Sequence, residues 1–331
     1  MRTARLWVFA GAILLSLDSR SDVRVLEIRD GDAGPESIVF GEGGEGPFTG
    51  VSDGRVLRWR PAERQETDEK FMSILFPTNR NIDTSTETSA GWRVAEDLGT
   101  QARSTSVGVH WASSSTTKQG SLYVADAYHG LRVVSPNEKV EFLSIVISGD
   151  KTGRLLKYDP KSNRVEVLVD GLSFPNGLAM SSDGAYLLLA ETTTGKILKY
   201  WIKTAKASTM EEVVQLSWFP DNIKWSPRGG FWVGLHAKRG KIAEWSISYP
   251  WLRRLILKLP MRHVQRVSTL LSQLGRQVIA LRLTEEGKTI EAVSVHGDVQ
   301  KVFKSVSEVE ERNGSLYIGS VTSPFLGIYR L

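Results

Sequence analysis

Short stretches in which apolar and polar residues alternate run along most of the chain, with glycine-containing turns between them. An alternation with a period of two is typical of β-strands that bury one face. Four of the turns are followed, two or three residues later, by an aromatic side chain; they begin at Gly120, Asp183, Gly229 and Asn313. Glycine in such a turn permits the positive φ of a tight hairpin. The pattern therefore predicts an all-β fold made of repeated hairpins.

The strands that precede these turns also begin alike, at Val107, Asn176, Asp221 and Ser307. Such a repeat indicates a β-propeller, in which blades of about four strands surround a channel. Asn176 and Asp221 are 45 residues apart, which suits one blade. The interval from Val107 to Asn176 is too long for one such blade and too short for two. The sequence therefore predicts an incomplete blade in that interval.

A segment from about residue 250 to residue 276 has a helical period instead. Apolar residues recur there at three- and four-residue steps, and the stretch from Trp251 to Arg276 contains six basic residues and no acidic one. We expect a helical insertion. Two interpretations remain open: a helical cap packed on the propeller face, or a basic amphipathic element that contacts an anionic membrane surface.

The composition excludes several classes of protein. The 331 residues are 41% hydrophobic and can form a large core, and a closed β fold of this size is compatible with a single domain. The chain has no cysteine, which removes disulfides, thiolate metal sites and cysteine nucleophiles. The net charge of +5 is modest and the basic residues are scattered, so we expect no nucleic-acid partner.

The first 20 residues have the pattern of a targeting segment. Arg2 and Arg5 precede an apolar run from Leu6 to Leu17, which is too short for a typical membrane-spanning helix. This pattern predicts a signal peptide or signal anchor and a place in the secretory pathway, in the endoplasmic reticulum, the vacuole or outside the cell. A buried N-terminal helix is the alternative. Asn313-Gly314-Ser315 is a candidate glycosylation site of a secreted glycoprotein.

Two motifs match known signatures but lack their context. Residues 41–46 satisfy the glycine pattern of a dinucleotide-binding loop, and residues 50–54 satisfy that of a nucleophile elbow. Both signatures require a following helix, whereas strand-like sequence follows here. The five histidines form no short metal-binding pattern. His129 and His236 are placed where they could reach the channel, but the sequence favours a loop histidine at each position.

Oxygen-bearing side chains recur at equivalent places in different repeats. Glu36, Asn176, Asp221 and Asn222 each lie in or beside a Pro-containing strand start. Because the inner strands of a propeller line one channel, we expect these four residues to face one another there. Carboxylate and amide oxygens are the ligands that Ca²⁺ prefers, so the sequence predicts a calcium site. The alternative is that these residues only cap turns.

Several longer motifs, in order, resemble the plant strictosidine synthase-like family and its animal relative, the adipocyte plasma membrane-associated protein. The motifs are residues 34–37, 46–55, 122–128, 152–160 and 174–177, and the resemblance extends over about residues 24–331. The resemblance implies a six-bladed β-propeller. It also places the chain near paraoxonases and gluconolactonases, which are calcium-dependent propellers that open esters and lactones. In this chain Ser144–Ser148 joins the two parts of the third blade directly, so we expect that blade to be incomplete.

The resemblance argues against strictosidine synthase activity and favours a calcium-dependent hydrolase, although it identifies no catalytic residue. The glutamate that strictosidine synthase uses falls on Ser307, and a serine is no general acid or base at neutral pH. Glu308 is adjacent but is expected to point to the opposite side of the strand. The four oxygen-bearing residues fall on positions that resemble paraoxonase calcium ligands, while the third-blade ligand has no counterpart and the catalytic histidine falls near Val107.

These residues lead to three hypotheses. The first is a calcium-dependent esterase or lactonase that acts on a small molecule, with no catalytic residue assigned. The second is a non-catalytic binding or structural propeller. The third is a strictosidine synthase, which Ser307 disfavours.

Overall fold

The computed structural model describes residues 7–9, 12–17, 23–28, 34–41, 44–51, 56–60, 91–94, 112–116, 122–126, 142–159, 161–259, 263, 277–296, 299–300, 303 and 305–331. Strands dominate these residues. They form five sheets, and strands that follow one another along the chain within a sheet pair antiparallel, many of them through short hairpins.

The first three blades follow the chain in order. Blade one contains β4 (Pro35–Val39), β5 (Phe48–Val51), β6 (Val56–Arg60) and β7 (Gly91–Val94). Blade two contains β8 (Ala112–Thr116), β9 (Leu122–Asp126), β10 (Gly153–Asp159) and β11 (Arg164–Leu172). Blade three contains β12 (Pro175–Met180), β13 (Tyr186–Glu191), β14 (Lys196–Trp201) and β15 (Met210–Gln215).

The last two blades recruit strands from the N-terminal part of the chain. Blade four contains β16 (Trp218–Trp225), β17 (Phe231–Lys238), β18 (Gln277–Leu283) and β19 (Thr289–Val295), extended by β2 (Ala12–Leu17) and β1 (Trp7–Phe9). Blade five contains β20 (Glu308–Arg312), β21 (Ser315–Gly319) and β22 (Phe325–Arg330), and β3 (Val23–Glu27) completes it.

The inner strands of the blades contact one another in sequence, which is the arrangement of a β-propeller. Contacts run from β8 to β12, to β16, to β20 and on to β4. Strand β3 pairs with β22, with Leu26 opposite Leu326, so the N-terminal part of the chain closes the last blade. The prediction of an all-β propeller is confirmed. The described residues supply five blades, and a sixth stays a prediction.

Blade two joins strands that lie on either side of the expected gap. Strands β9 and β10 are adjacent and antiparallel, and Arg154 forms a 3.1 Å ion pair with its cross-strand partner Asp126. The chain between them includes a short helix, α1 (Phe142–Ser148). The described strands form one four-stranded sheet here, and the incomplete blade stays a prediction. Pairing of β9 with β10 supplies hydrogen-bond partners for backbone N–H and C=O groups, which would have none at the edges of two separate half-blades.

The core lies between neighbouring blades rather than in one central mass. The largest cluster, between blades four and five, includes Trp232, Phe303 and Leu17, all fully or almost fully buried. A second cluster between blades three and four contains Phe231 and Leu188. Blades three, four and five therefore each bury both faces of their sheets, which explains why their strand sequences are rich in apolar residues.

The N-terminal apolar run is a strand in this structure and not the helix of the alternative interpretation. Strand β2 pairs parallel with β19 and buries Leu15 and Leu17. Blade four already has four strands without β1 and β2, so they are an addition to a complete blade. Cleavage of residues 1–20 stays a prediction. Among the described residues, no helix is long and apolar enough to cross a membrane.

A small helical layer covers one end of blade four. It consists of α1, α2 (Lys241–Ser248) and α3 (Pro250–Ile256), which contact one another. Val146 of α1 packs with Ala243 of α2 against Phe219 of β16. The helical insertion is confirmed for α3, although helix already begins at Lys241; of residues 260–276 only His263 is described.

The hairpin turns that the structure describes have the backbone conformation that their sequences predict. Gly184, Gly230, Asn313 and Gly314 all have positive φ, as the hairpins require. Residues 41–46 lead into strand β5, so the dinucleotide-loop motif is excluded. Strand β6 follows residues 50–54, so the nucleophile-elbow motif lacks its helix as well, while residues 52–55 themselves lie outside the described part.

Candidate functional site

A polar cluster lies where the inner strands begin, at one end of the channel. Glu36 is the second residue of β4, Asn176 is the second residue of β12, and Asp221 and Asn222 are the fourth and fifth residues of β16. Blades three and four approach closely at this point. A Cβ atom on Gly177 would lie 2.6 Å from the Asp221 carbonyl oxygen, so only glycine permits this approach.

Hydrogen bonds bring the four predicted residues together. Nδ2 of Asn176 donates to Oδ1 of Asp221 at 2.6 Å, and Nδ2 of Asn222 donates to the backbone oxygen of Glu36 at 3.2 Å. Asn176, Asp221 and Asn222 are each at least nine-tenths buried. Both amides donate through nitrogen, which leaves their oxygens as acceptors. The hydrogen bonds therefore join Asn176 to Asp221 and Asn222 to the backbone of Glu36, and the role of the four residues as metal ligands stays a prediction.

The carboxylates of the cluster repel one another. Burial raises the pKa of Asp221 well above its usual value, and the charges of Glu36 and Glu308 raise it further. Burial, reinforced by Glu308, raises the pKa of Glu36 from 4.5 to about 7. Ionising all of these groups in one buried place is unfavourable unless a positive charge lies among them.

Glu308 is the member of the cluster that sequence reasoning missed. Its Oε1 accepts a hydrogen bond from the backbone N–H of Ile38 and lies 3.4 Å from Nζ of Lys224. Burial raises the pKa of Glu308, although Lys224 acts against this rise. Glu308 does point away from Ser307, as expected, but that direction leads into the channel. Its position at the start of an inner strand, as for Glu36, was the available signal.

His236 lies beside the cluster and within strand β17, so it is not the loop histidine that the sequence favours. Its Nδ1 is 3.9 Å from Oδ2 of Asp221. Burial lowers the pKa of His236 from 6.5 to about 4, so its imidazole is neutral at neutral pH. His129 lies outside the described residues.

Ser307 is a structural junction. It is fully buried, and its Oγ accepts the backbone N–H of Val321 at 3.0 Å. Its backbone carbonyl accepts from the N–H of Asn222, and its own N–H donates to Gly319. The residue thus connects blade five to blade four and supplies no carboxylate.

The donor set suits a hard cation. Glu36, Asp221, Asn176 and Asn222 offer two carboxylates and two amide oxygens, which is calcium-type chemistry. Among the described residues, no group of three or more histidine, cysteine, aspartate or glutamate side chains is placed to hold a metal. A cation at this position would therefore depend on the amide oxygens and on water or backbone carbonyls. The four residues fit such a cation in chemistry.

Comparison with known proteins identifies relatives over most of the chain. A family model for strictosidine synthase matches residues 116–205, and a model for the N-terminal part of strictosidine synthase-like proteins matches residues 21–59. Strictosidine synthase-like 10 of Arabidopsis thaliana is 36% identical over 341 residues, covering 91% of this chain and 86% of that protein. Strictosidine synthase-like 2 of the same plant is 34% identical, with 91% and 88% covered.

Solved structures are more distant. A gluconolactonase from Xanthomonas campestris has 14% identity and a TM-score of 0.41, covering 68% of this chain and 59% of that one. A luciferin-regenerating enzyme has 12% identity and a TM-score of 0.41, covering 66% and 59%. Likenesses at this level do not bear on function.

Proposed function

This chain belongs to the strictosidine synthase-like family, and from that premise and the polar cluster in its channel we propose that it is a calcium-dependent hydrolase of esters or lactones. Glu36, Asn176, Asp221 and Asn222 are the proposed ligands. A six-bladed propeller with an incomplete third blade is part of the same proposal.

One observation carries the proposal: buried carboxylates from different blades meet at one end of the channel. Asp221 is 5% exposed, and the charges of Glu36 and Glu308 oppose its ionisation. Lys224 lies beside Glu308. A divalent cation would relieve the repulsion between Glu36 and Asp221, and the amide oxygens of Asn176 and Asn222 supply neutral ligands for it. A cluster that only capped turns would gain nothing from gathering acidic groups.

Two further side chains, Glu310 and His236, can take part in catalysis at the channel. Burial raises the pKa of Glu310 from 4.5 to about 7, against the opposing charge of Lys224 and with the help of Glu308. A carboxyl group that exchanges its proton near neutral pH suits general acid or base catalysis. His236 stays neutral and holds its imidazole beside Asp221. A bound cation would polarise the substrate carbonyl and stabilise the oxyanion.

Turnover of aryl esters and small lactones, with and without a chelator, tests the proposal. We expect hydrolysis that disappears on chelation and returns with added Ca²⁺. Asp221→Ala should be inactive, whereas Asp170→Ala, which changes an exposed carboxylate of strand β11, should behave as the wild type. Hydrolysis that is indifferent to chelator would contradict the calcium dependence.

The second candidate is a non-catalytic propeller whose channel cluster only connects the blades. It is favoured by the hydrogen bonds themselves, since Asn176 to Asp221 joins blade three to blade four, and Asn222 to Glu36 joins blade four to blade one. Calcium that raises the melting temperature without any turnover would support this candidate. Strictosidine synthase activity is the third candidate, and the buried Ser307 argues against it.

We also propose a place in the secretory pathway, on the strength of the basic and apolar N-terminal pattern. Asn313 occupies the exposed tip of the β20–β21 hairpin, where a glycan could be accommodated. A reporter fused to residues 1–30 should enter the endomembrane system. A reporter that stays in the cytosol would refute this proposal.

A further inference from the structure

The helical layer at the end of blade four has an outer face that is unusually apolar. Six of the ten large hydrophobic residues that are exposed in the described structure lie between Trp245 and Leu259. Trp251 is 65% exposed, Leu255 is 55% exposed, and Trp245 and Tyr249 are each 51% exposed. Isolated exposed hydrophobic residues are ordinary, but a concentrated patch on a soluble domain marks an interaction surface.

The two helices show why these side chains face outward. In α2, Ala243 and Ser246 are buried against the propeller side, and Trp245 and Tyr249 lie on the other side, four residues apart. In α3, Ile256 is buried, whereas Trp251 and Leu255 are exposed at a spacing of four. Helix periodicity therefore gathers the aromatic and leucine side chains on the solvent side.

Positive charge accompanies this apolar face. From Trp245 to Leu259 the chain has no acidic residue and carries Arg253, Arg254 and Lys258. The guanidinium of Arg253 lies against Gly149 and is half-buried, while Arg254 and Lys258 are exposed. Arg254 follows Trp251 by three residues on the same stripe of α3, and Lys258 lies just beyond the end of the helix.

We propose that the outer face of α2 and α3 binds the surface of an anionic lipid membrane. Trp and Tyr side chains are favoured at the boundary between headgroups and acyl chains, and Arg and Lys beside them attract acidic headgroups. A second copy of the chain fits less well, because a two-fold contact would bring Arg254 and Lys258 of both copies together. The proposal is independent of calcium and of hydrolysis.

The outer face of α2 and α3 lies near the polar cluster. Phe219, against which the helical layer packs, lies two residues before Asp221 in the same strand. His236 is adjacent to Ala237, which packs in the same small cluster. The lipid-binding face is thus at the end of the propeller that holds the polar cluster, and a bound membrane would lie near the mouth of the channel.

Sedimentation with vesicles tests the proposal on the full chain. We expect binding to phosphatidylcholine vesicles that contain phosphatidylserine, weaker binding to phosphatidylcholine alone, and loss of binding at high salt. Trp251→Ser with Leu255→Ser, or Arg254→Glu with Lys258→Glu, should each reduce binding by about tenfold or more. The matched controls are Val165→Ser with Val167→Ser and Lys161→Glu with Arg164→Glu, at exposed sites of blade two; both should bind as the wild type.

A second measurement does not depend on variants. Lipids brominated near the headgroup should quench tryptophan fluorescence of the wild type, and the quenching should decrease in the Trp251→Ser variant. The proposal is overturned if the wild type binds neither kind of vesicle, or if the control and patch variants lose binding equally. It is also overturned if the wild type is a dimer in solution that the patch variants convert to monomer, since a second copy would then be the occupant.

Discussion

The side chain of Asn176 in blade three donates a 2.6 Å hydrogen bond to the carboxylate of Asp221 in blade four. Residues that are 45 positions apart thus meet at the same end of the channel. The contact lies beside the carboxylates of Glu36 and the buried Glu308, whose charges act on Asp221. It combines two roles, because it connects neighbouring blades and also orients potential ligands toward a shared space.

Calcium should raise the melting temperature of the wild-type protein. A ligand that binds only the folded state stabilises it, by about 2.7 kcal/mol at roughly 100 times Kd. Asp221→Ala should abolish the rise because it removes a full negative charge, and Asn222→Ala should reduce it less. Thermal melts across a calcium titration measure this effect, with Asp170→Ala as the exposed control. An unchanged wild-type melt would remove the main support for the hydrolase.

Without calcium, the protein should lose stability as the pH rises from acidic to neutral. The folded state raises the pKa of Glu36 from 4.5 to about 7, so it binds that proton more tightly than the unfolded chain. Stability therefore declines as the pH rises above about 4.5, and the loss, about 3 kcal/mol at most, is complete above about pH 7. Denaturant melts in chelator from pH 5 to pH 8 measure the decline.

Glu36→Gln should make this decline shallower, because the variant has no proton to exchange at that position, whereas Asp221, Glu308 and Glu310 keep their raised pKa values. Glu212→Gln, at an exposed carboxylate of blade three, should keep the wild-type slope. A wild-type profile that is flat or rises over this range would show that Glu36 is ionised in the folded protein. Saturating calcium should also flatten the wild-type profile if Glu36 is a ligand.

Incubation with tryptamine and secologanin should give no strictosidine above the blank. The position that needs a carboxylate holds Ser307, which is fully buried and accepts the N–H of Val321. The measurement is product detection beside an active strictosidine synthase as the positive control. Product formed by this chain would mean that another group, such as Glu308, performs the proton transfer.

Removal of Glu311 should destabilise the protein strongly. Its Oε2 accepts hydrogen bonds from Ser226 and from Trp232, each at 2.7 Å, and its carboxylate pairs with Arg228. Glu311→Ala leaves these donors without their acceptor, and we expect a loss of about 3 kcal/mol in the free energy of unfolding. Glu212→Ala breaks an exposed pair with Lys196 and should cost less than about 1 kcal/mol. Equal losses would contradict a special role of the buried network.

A chain that begins at residue 21 should still fold, with a melting temperature a few degrees lower. Blade four keeps four strands without β1 and β2, but the truncation uncovers β19 and the apolar surface that Leu15 and Leu17 bury. Cooperative thermal melts of the full and truncated chains provide the comparison. A truncated chain that fails to fold would make β2 an integral strand and would exclude a cleaved signal peptide.

Much of the fold and part of the site can be derived from the sequence because their signals are local. The alternation of apolar residues and the glycines at positive φ, such as Gly184 and Gly314, determine strands and hairpins within a few residues. The four oxygen-bearing residues were identifiable because each one begins or adjoins the same kind of strand start. The family motifs point to a propeller for the same reason, since they are short and lie within single strands or turns.

The tertiary structure decided whatever depends on contacts between distant segments. The pairing of β9 with β10, and the burial of β2 beside β19, depend on which strand edges remain open after the blades form. The approach of Glu308 to Glu36 and Asp221 arises only when blade five meets blades one and four. The strand period places a side chain on one side or the other of its sheet, but the closure of the ring determines which distant groups lie there, and that closure is a property of the whole chain.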